Sequence, residues 1–170
     1  MGVYIARALA ERGARLALVA RSQDLLQDLA DELDLQDENV FVMGADLRDD
    51  SDRRRVVESV LEAFGNIDIL INNAGLEAEG AFLDLSMADV RKAVELNLIA
   101  PMALTHIVLP HMLEVKSGHI VNITSIGGKS GAPTMRPTAA RKRGWPNGRA
   151  ACESSWKARA STSLPYSPVL

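Results

Sequence analysis

The amino-acid sequence predicts an α/β protein built on a doubly wound parallel sheet. Four short apolar runs, at residues 15–20, 39–43, 67–71 and 120–124, have the length and composition of buried parallel strands. Amphipathic segments of helical period separate these runs, as the crossovers of a parallel sheet require. Right-handed crossovers place helices on both faces and bring the carboxyl ends of the strands to one edge, where ligands bind in such sheets.

Capping residues bound the first three predicted helices. Residues 3–13 form the end of an amphipathic helix that Gly13 closes. Ser22 is a good N-cap for a helix over residues 23–34, whose leucines share one face. A third helix is predicted over residues 49–64, with Gly65 just beyond its last turn.

The second half of the chain is less regular. A turn is predicted at residues 72–75, directly after the third strand, and a further helix begins near Ser86. Residues 89–115 are predicted to be helical, in one piece or two. Pro101 and Pro110 lie inside this stretch, and each removes a backbone N–H and favours a kink or a break. A glycine-rich loop follows the fourth strand.

Length and composition exclude several classes of protein. The chain has 170 residues, of which 47% are hydrophobic and 24% charged, with a formal net charge of −3. These values suit one domain with a sizeable core. A single cysteine excludes a disulfide framework, no cluster has metal-ligand spacing, and no run of 18 apolar residues predicts a membrane span. We therefore expect a cytoplasmic protein without a metal site or membrane association.

Two compositions meet near Pro133. Residues 1–133 carry 12 of the 19 basic and 21 of the 22 acidic residues, a net charge of −9, whereas residues 134–170 carry +6 and four of the seven prolines. The sequence predicts one partial domain over 1–133 and an irregular or disordered basic tail over 134–170. The basic run at 141–143 beside Trp145 leaves open a nucleic-acid-binding arm.

Four motifs lie at the ends of predicted strands or inside the long helix. The turn at residues 72–75 reads Asn-Asn-Ala-Gly, whose small residues let a ligand approach the backbone closely. Asp46 follows the second strand and Ser125 the fourth. Asn97 lies in a helix on an apolar face, where its amide needs partners. Each has a structural explanation when taken alone: a tight turn, a helix cap, a turn serine and a hydrogen-bonded core asparagine.

In order and spacing, these motifs together resemble the short-chain dehydrogenase/reductase family, NAD(P)-dependent oxidoreductases on a Rossmann-type sheet. The resemblance covers residues 1–133. It implies hydride transfer between a nicotinamide cofactor and a small-molecule carbonyl or secondary alcohol, often in homo-oligomers. It implies catalytic roles for Asn97, Ser125 and Lys142. The cofactor contacts that it implies come from Gly2, Arg21, Asp46, Leu47, Asn73, Ala74 and Gly75.

Arg21 bears on the choice of cofactor. It follows the strand that, in such folds, ends at the adenosine ribose, where an acidic residue would bind both ribose hydroxyls of NAD. A guanidinium at this position can instead pair with a 2′-phosphate. We therefore expect NADP, with NAD as the alternative and a solvated Arg21 as the structural explanation.

The sequence departs from the family pattern at its start. Family members begin with a strand and a glycine-rich turn, TGxxxGxG, which holds the pyrophosphate at a helix N-terminus. Only Gly2 matches that turn here, so we expect the first strand to be missing, as well as the last strands beyond residue 133. Because the first strand is central in the family sheet, its loss predicts a void or a rearranged pairing.

A second departure concerns the catalytic tyrosine. The family has Tyr-x-x-x-Lys, and at the expected distance from Ser125 this chain has Thr138, followed by Lys142 at the lysine position. An aliphatic hydroxyl is far less acidic than a phenol and shorter by a ring. Loss of general acid–base catalysis costs a factor of roughly 10²–10⁴, so we expect impaired activity.

A single-base deletion near codon 133 would explain the tail. Adding one base ahead of the later codons can restore Tyr-x-x-x-Lys-Ala-Gly, with the lysine at position 142. This frame-shift explanation accounts for the residues that suggest a nucleic-acid arm and is preferred to it. Three functional hypotheses follow: an impaired oxidoreductase of the family, a non-catalytic remnant of it, and a basic-tailed nucleic-acid-binding protein.

Overall fold

The computed structural model of the chain describes residues 1–77, 84–124 and 168–169. A short 3-10 turn, Asp37–Asn39, precedes the second strand, and a π-helical segment, Glu95–Ile99, joins the last two helices. The helices are α1 (Gly2–Ala10), α2 (Gln23–Glu32), α3 (Asp50–Phe64), α4 (Met87–Val94) and α5 (Ala100–Glu114). The strands are β1 (Arg15–Ala20), β2 (Val40–Gly44), β3 (Ile69–Asn72), β4 (His119–Asn122) and β5 (Pro168–Val169).

The strands form one parallel sheet in the order β2-β1-β5-β3-β4. β1 pairs with β2 from Leu16 to Ala20, and β3 pairs with β4 from Ile69 to Asn72. The predicted α/β class is confirmed, and so are the four predicted strands, whose bounds differ by no more than one or two residues. The sheet is partial, as expected.

The centre of the sheet is rearranged. β5 lies between β1 and β3, and pairs with Arg15 and Leu16 on one side and with Ile69 on the other. Its two residues belong to the segment predicted to be irregular, and they form a strand instead because two open strand edges flank them. Residues 134–167 and residue 170 lie outside the described residues.

Side-chain alternation along the strands builds a core on each face of the sheet. Ala17 and Leu70 point to the face covered by α3 and α5, the α3/α5 face, whereas Leu16 and Ile69 point to the face covered by α1 and α2, the α1/α2 face. The core of the α3/α5 face comprises Ala17, Val57, Val60, Phe64, Ile67, Leu70, Leu104, Val108 and Met112. The buried core of the α1/α2 face comprises Ala6, Ala14 and Leu16.

The capping residues predicted for α2 and α3 stand at the helix ends, but one of them, Ser22, makes no capping hydrogen bond. Asp49 caps α3, and its carboxylate accepts hydrogen bonds from the N–H groups of Ser51 at 2.7 Å and Asp52 at 3.3 Å. Gly65 ends the same helix at a φ of +77°, a conformation that is strained for residues other than glycine. Ser22 stands at the N-cap of α2 as predicted, but its side chain makes no capping hydrogen bond.

The long helical stretch is continuous, and its hydrogen-bond pattern widens from α-helical to π-helical in the middle. In the π-helical segment, the Ala100 N–H donates to the Glu95 carbonyl, five residues earlier. Pro101 comes immediately afterwards and has no N–H to offer, so the wider turn accommodates the predicted disruption there. Pro110 lies within α5, which continues past it.

Residues 87–114 form 28 consecutive helical residues that are long and apolar enough to cross a membrane by length and composition. The prediction of no membrane span was based on the absence of an uninterrupted run of 18 apolar residues, and this helix meets the length and hydropathy criteria with polar residues among the apolar ones. In the described structure, Leu104, Val108 and Met112 are buried against α3 and the sheet. One stripe of the helix therefore packs in the core, whereas 22% of its most apolar 18-residue window is buried in all.

Candidate functional site

A cavity of about 780 Å³ opens at the carboxyl ends of the strands. Its size lies within the roughly 300–1,000 Å³ typical of small-molecule and cofactor sites. All seven predicted cofactor residues line this one cavity, although they come from four separate segments of the chain: Gly2, Arg21, Asp46, Leu47, Asn73, Ala74 and Gly75. The parallel sheet brings them together because the segments that leave its strands meet at one edge.

The N-terminus of α1 meets the Asn-Asn-Ala-Gly turn at the cavity wall. A Cβ placed on Gly2 would lie 2.8 Å from Nδ2 of Asn73, so a larger residue would require the Asn73 side chain to move. The N–H groups of Gly2 and Val3 belong to the first helical turn, which has no intrahelical acceptors for them. Together with the helix dipole, they favour an anionic ligand group at this point.

Asn97 holds the same turn from the opposite side. Its Oδ1 accepts a hydrogen bond from the Leu76 N–H at 2.8 Å, and its Nδ2 donates to the Leu76 carbonyl at 2.6 Å. This pair satisfies the amide that the sequence placed on an apolar helix face. Asn97 does not itself line the cavity, but Leu76 does. Its catalytic role stays a prediction, and its observed contact fixes the shape of the turn.

Asp46 is already engaged by a neighbouring cation. The Arg48 Nε donates to both carboxylate oxygens, at 2.9 and 3.0 Å, and Arg48 Nη2 and the Arg48 backbone N–H also contact the carboxylate. These hydrogen bonds lower the pKa of Asp46 from 3.8 to about 2, with a smaller contribution from the charge of Arg21. Asp46 therefore stays ionised at neutral pH.

Arg21 is exposed at the mouth of the cavity. Among the described side chains, it makes no ion pair within hydrogen-bonding distance, although its charge reaches Asp46. A guanidinium in this position is available to an anionic group that enters the cavity. That geometry is what the prediction of a 2′-phosphate contact requires.

A buried arginine that the sequence analysis did not identify connects the loop after β2 to the π-helical segment. Arg53 is only 5% exposed, and its Nη1 donates to the carbonyls of Leu47 at 2.8 Å and Arg48 at 3.0 Å. The same group lies 3.3 Å from Oε1 of Glu95, in the π-helical segment that carries Asn97. Arg53 was detectable in the sequence, because helical spacing places it on the apolar face of α3 with Val56, Val57 and Val60.

Asn72 ends β3 next to the cavity with one unsatisfied atom. It is 9% exposed, and its Nδ2 donates to Oδ1 of Asn122 at 2.9 Å. Its own Oδ1 is buried and accepts no hydrogen bond from the described residues. A buried acceptor without a donor is costly, so this atom marks a point where a further N–H or O–H would be stabilising.

Three predicted catalytic positions lie outside the described residues: Ser125, Thr138 and Lys142. Thr124, the residue before Ser125, lines the cavity. Within residues 1–77, 84–124 and 168–169, no group of three His, Cys, Asp or Glu side chains could hold a metal ion.

A parallel sheet with helices on both faces and a ligand-sized cavity at the carboxyl ends of its strands defines a Rossmann-like protein. A sequence model of the short chain dehydrogenase family matches residues 1–147. The chain therefore belongs to that family, as its motifs indicated, and the match extends past Pro133, where we had placed the end of the resemblance.

Individual relatives agree with this assignment. The chain is 39% identical over 144 residues to the ketoacyl reductase HetN of Nostoc sp., covering 85% of this chain and 50% of the relative. A short-chain dehydrogenase from Streptomyces avermitilis superposes with a TM-score of 0.82 at 28% identity, over 99% of this chain and 58% of that structure. An actinorhodin polyketide ketoreductase with NADPH gives 0.78 at 35% identity, over 84% and 56%. The chain spans about half the length of the curated relatives it matches.

Proposed function

We propose that the chain binds a nicotinamide dinucleotide in this cavity, and that the whole protein interconverts a small carbonyl compound and a secondary alcohol. The observation that carries the proposal is the convergence of seven predicted cofactor residues on one cavity wall. The family assignment supports the same chemistry. When bound, the cofactor would supply or accept the hydride.

The residues present fit such a cofactor. The first-turn N–H groups of α1 suit a phosphate, and glycine at position 2 lets the Asn73 side chain approach the helix closely. Arg21 suits a 2′-phosphate, which favours NADP over NAD. Asn97 keeps the turn at residues 73–76 in place through its two hydrogen bonds to Leu76.

The proposed proton chemistry belongs to residues beyond the described structure. The Ser125 hydroxyl would donate a hydrogen bond to the reacting oxygen of the substrate, and Lys142 would supply a nearby positive charge. Thr138 stands where the resemblance implies a tyrosine. A non-catalytic remnant is the second candidate function, and Thr138 is the observation that favours it.

Cofactor binding is tested by fluorescence titration of the purified full chain with NADPH and NADH. We expect Arg21→Ser to weaken NADPH binding about tenfold or more and to leave NADH binding unchanged, because only NADPH carries the 2′-phosphate. Arg12→Ser is the matched control, since Arg12 is exposed near the end of α1 and bonds to the Ala8 carbonyl. Equal losses of both nucleotides would contradict the assignment of Arg21, and failure of both to bind would contradict the site.

Activity is tested by restoring the missing phenol. We expect Thr138→Tyr to raise the rate of NADPH-dependent reduction of 4-nitrobenzaldehyde by a factor of roughly 10²–10⁴. Thr134→Tyr places the same side chain four residues earlier in the sequence and should give no gain. If the two variants are equally inactive while NADPH still binds, the chain is a non-catalytic remnant.

The nucleic-acid hypothesis gains no support, because the family match includes the basic run at residues 141–143 and Trp145. A cytoplasmic location is proposed on the cysteine content alone. Cell fractionation that recovers the full-length protein in membranes or outside the cell would contradict it.

A further inference from the structure

Among the described residues, Arg53 is the one charged residue that is buried. A buried cation is stable only where hydrogen-bond acceptors and opposite charges surround it. Its acceptors are the carbonyls of Leu47 at 2.8 Å and Arg48 at 3.0 Å, Oε1 of Glu95 at 3.3 Å and Oδ1 of Asp50 at 3.3 Å. This single side chain therefore joins α3 to the loop after β2 and to the π-helical segment, which lies 42 residues further along the chain.

The first turn of α3 holds the loop after β2, residues 45–49, in place. Asp46 and Leu47 of this loop line the cavity. The Asp46 N–H donates to Oδ2 of Asp52 at 2.7 Å. The next residue of α3, Arg53, donates to the carbonyls of Leu47 and Arg48. Because hydrogen bonds from a charged donor are stronger than those between neutral groups, the position of the loop at the cavity depends on Arg53.

The π-helical segment holds the turn at residues 73–76 on another side of the cavity. Glu95 is the first residue of this segment, and Leu96 lines the cavity. Asn97, two residues after Glu95, accepts a hydrogen bond from the Leu76 N–H and donates one to the Leu76 carbonyl. Since Glu95 and Asn97 belong to the same helical turn, a displacement of one displaces the other.

We propose that Arg53 is a positioning residue that couples the loop after β2 to the turn at residues 73–76 through Glu95. The connection consists of hydrogen bonds and one helical turn, the kind of contiguous network that carries coupling between sites. The inference rests on the proposed nucleotide site, because the loop and the turn both line that cavity. A nucleotide that contacts the loop also orders the turn, and the loop is held in its binding position before the nucleotide arrives.

Amide hydrogen exchange at Leu76, measured by NMR on the full chain without nucleotide, tests the coupling. The Leu76 N–H donates to Oδ1 of Asn97 at 2.8 Å, whereas the hydrogen bonds of Arg53 go to other residues. The amide of Val108, buried in α5, serves as the reference for global unfolding. We expect Arg53→Met to speed exchange at Leu76 at least fivefold relative to Val108. An unchanged ratio of the two exchange rates would overturn the proposal.

Arg54→Met is the matched control for Arg53→Met. Arg54 is the next residue of α3 and is 61% exposed, and its Nε donates to Oδ2 of Asp50 at 2.9 Å. It supplies no hydrogen bond to the loop after β2, within the part of the chain that the structure describes. We expect Arg54→Met to leave exchange at Leu76 unchanged. Equal acceleration by the two variants would attribute the effect to the charge of α3 and would overturn the role of Arg53.

Nucleotide affinity gives the functional measurement. We expect Arg53→Met to weaken NADPH and NADH binding by the same factor, about tenfold, because the loop after β2 is held away from its binding position in neither case by the 2′-phosphate. Arg21→Ser, in contrast, is expected to weaken NADPH binding alone. Arg53→Lys keeps the charge and should recover part of the affinity. A purely structural role would lower the free energy of unfolding in urea and leave the affinities of the folded chain unchanged, which would overturn the proposal.

Glu95→Ala decides the question if Arg53→Met does not fold. The Glu95 side chain is 38% exposed, and its removal leaves Arg53 with the loop carbonyls. We expect exchange at Leu76 to become at least threefold faster relative to Val108, and an unchanged ratio would overturn the coupling. Failure of the parent chain to bind either nucleotide would contradict the proposed function alone, because exchange at Leu76 is measured without nucleotide.

Discussion

The two faces of the sheet differ sharply in how well they are packed. On the α3/α5 face, seven side chains are almost completely inaccessible: Val56, Val57, Val60, Ile67, Leu70, Val108 and Met112. On the α1/α2 face, the buried core consists of two alanines and Leu16, while Tyr4 and Leu25 remain 72% and 68% exposed. Both faces contact the same strands, so the difference comes from the helices that cover them.

The better-packed face contributes most to stability, whereas the other face contributes a helix terminus to the cavity. The α3/α5 face buries large side chains between two 15-residue helices and the sheet, and it supplies most of the hydrophobic stabilisation. The α1/α2 face has shorter helices, and its α1 lines the cavity. The looser face is thus the one that contributes the N-terminal turn of α1 to the site.

The largest expected contrast is between two leucine truncations on opposite faces. Leucine-to-alanine substitutions in cores cost about 2–5 kcal/mol, depending on the cavity left behind. Leu70→Ala removes a side chain from the dense α3/α5 face and should cost about 3–5 kcal/mol. Leu16→Ala, at similar burial on the other face, should cost about 2–3 kcal/mol, because its surroundings can relax. Urea unfolding measures both, and equal losses would mean that the two faces are equally packed.

Helix capping gives a smaller contrast between the same faces. Asp49→Ala removes two hydrogen bonds from the first turn of α3 and should destabilise the protein by about 0.5–2 kcal/mol. Ser22→Ala is the matched control on α2, where the side chain makes no capping bond, and it should change stability by less than about 0.5 kcal/mol. A comparable loss for Ser22→Ala in thermal unfolding would indicate a cap on α2 that forms in solution.

The smallest expected effect is a pH dependence that arises from Asp46. Arg48 lowers the pKa of this carboxyl to about 2 in the folded chain, below its ordinary value of 3.8. The stabilisation is therefore present above about pH 4 and is lost as the pH falls towards 2. Because the pair is partly exposed, its worth is below about 1 kcal/mol and falls with added salt.

Asp46→Asn tests this dependence. The variant should be slightly less stable than the parent chain at pH 6, and the difference should shrink between pH 4 and pH 2. A difference in unfolding free energy that stays constant over this range would show that the ion pair contributes nothing through protonation.

Local sequence signals predicted most of the fold. Apolar runs located four strands, and Gly65 and Asp49 located the ends of α3, because these features depend on neighbouring residues only. β5 was not predictable in this way: Pro168–Val169 carries no strand period, and its pairing depends on two strand edges far away in sequence. The π-helical segment was missed for a related reason, since proline predicts disruption but not its form.

The site was predictable to the extent that it follows strand ends. Asp46, Asn73 and Arg21 were identified because each follows a predicted strand at a position where the family resemblance implies a cofactor contact, and the structure brings them to one cavity. Arg48 and Arg53 were not identified. The spacing of Arg53 with the valines of α3 indicates that it is buried, but the carbonyls and carboxylates that the two arginines contact come near them only in the folded chain. The roles of Ser125, Thr138 and Lys142 stay predictions, and so does the frame-shift explanation, which sequencing of the gene would test.

The position of β5 also has a consequence for the order of folding. β1–β2 and β3–β4 are each joined by pairings of moderate sequence separation, whereas β5 joins β1 to β3 with residues from the far end of the chain. Contacts between residues so distant in sequence form slowly, since a long loop must close first. During synthesis, the residues of β1–β4 therefore leave the ribosome well before those of β5. Until then, their inner strand edges stay open to pairing with other chains.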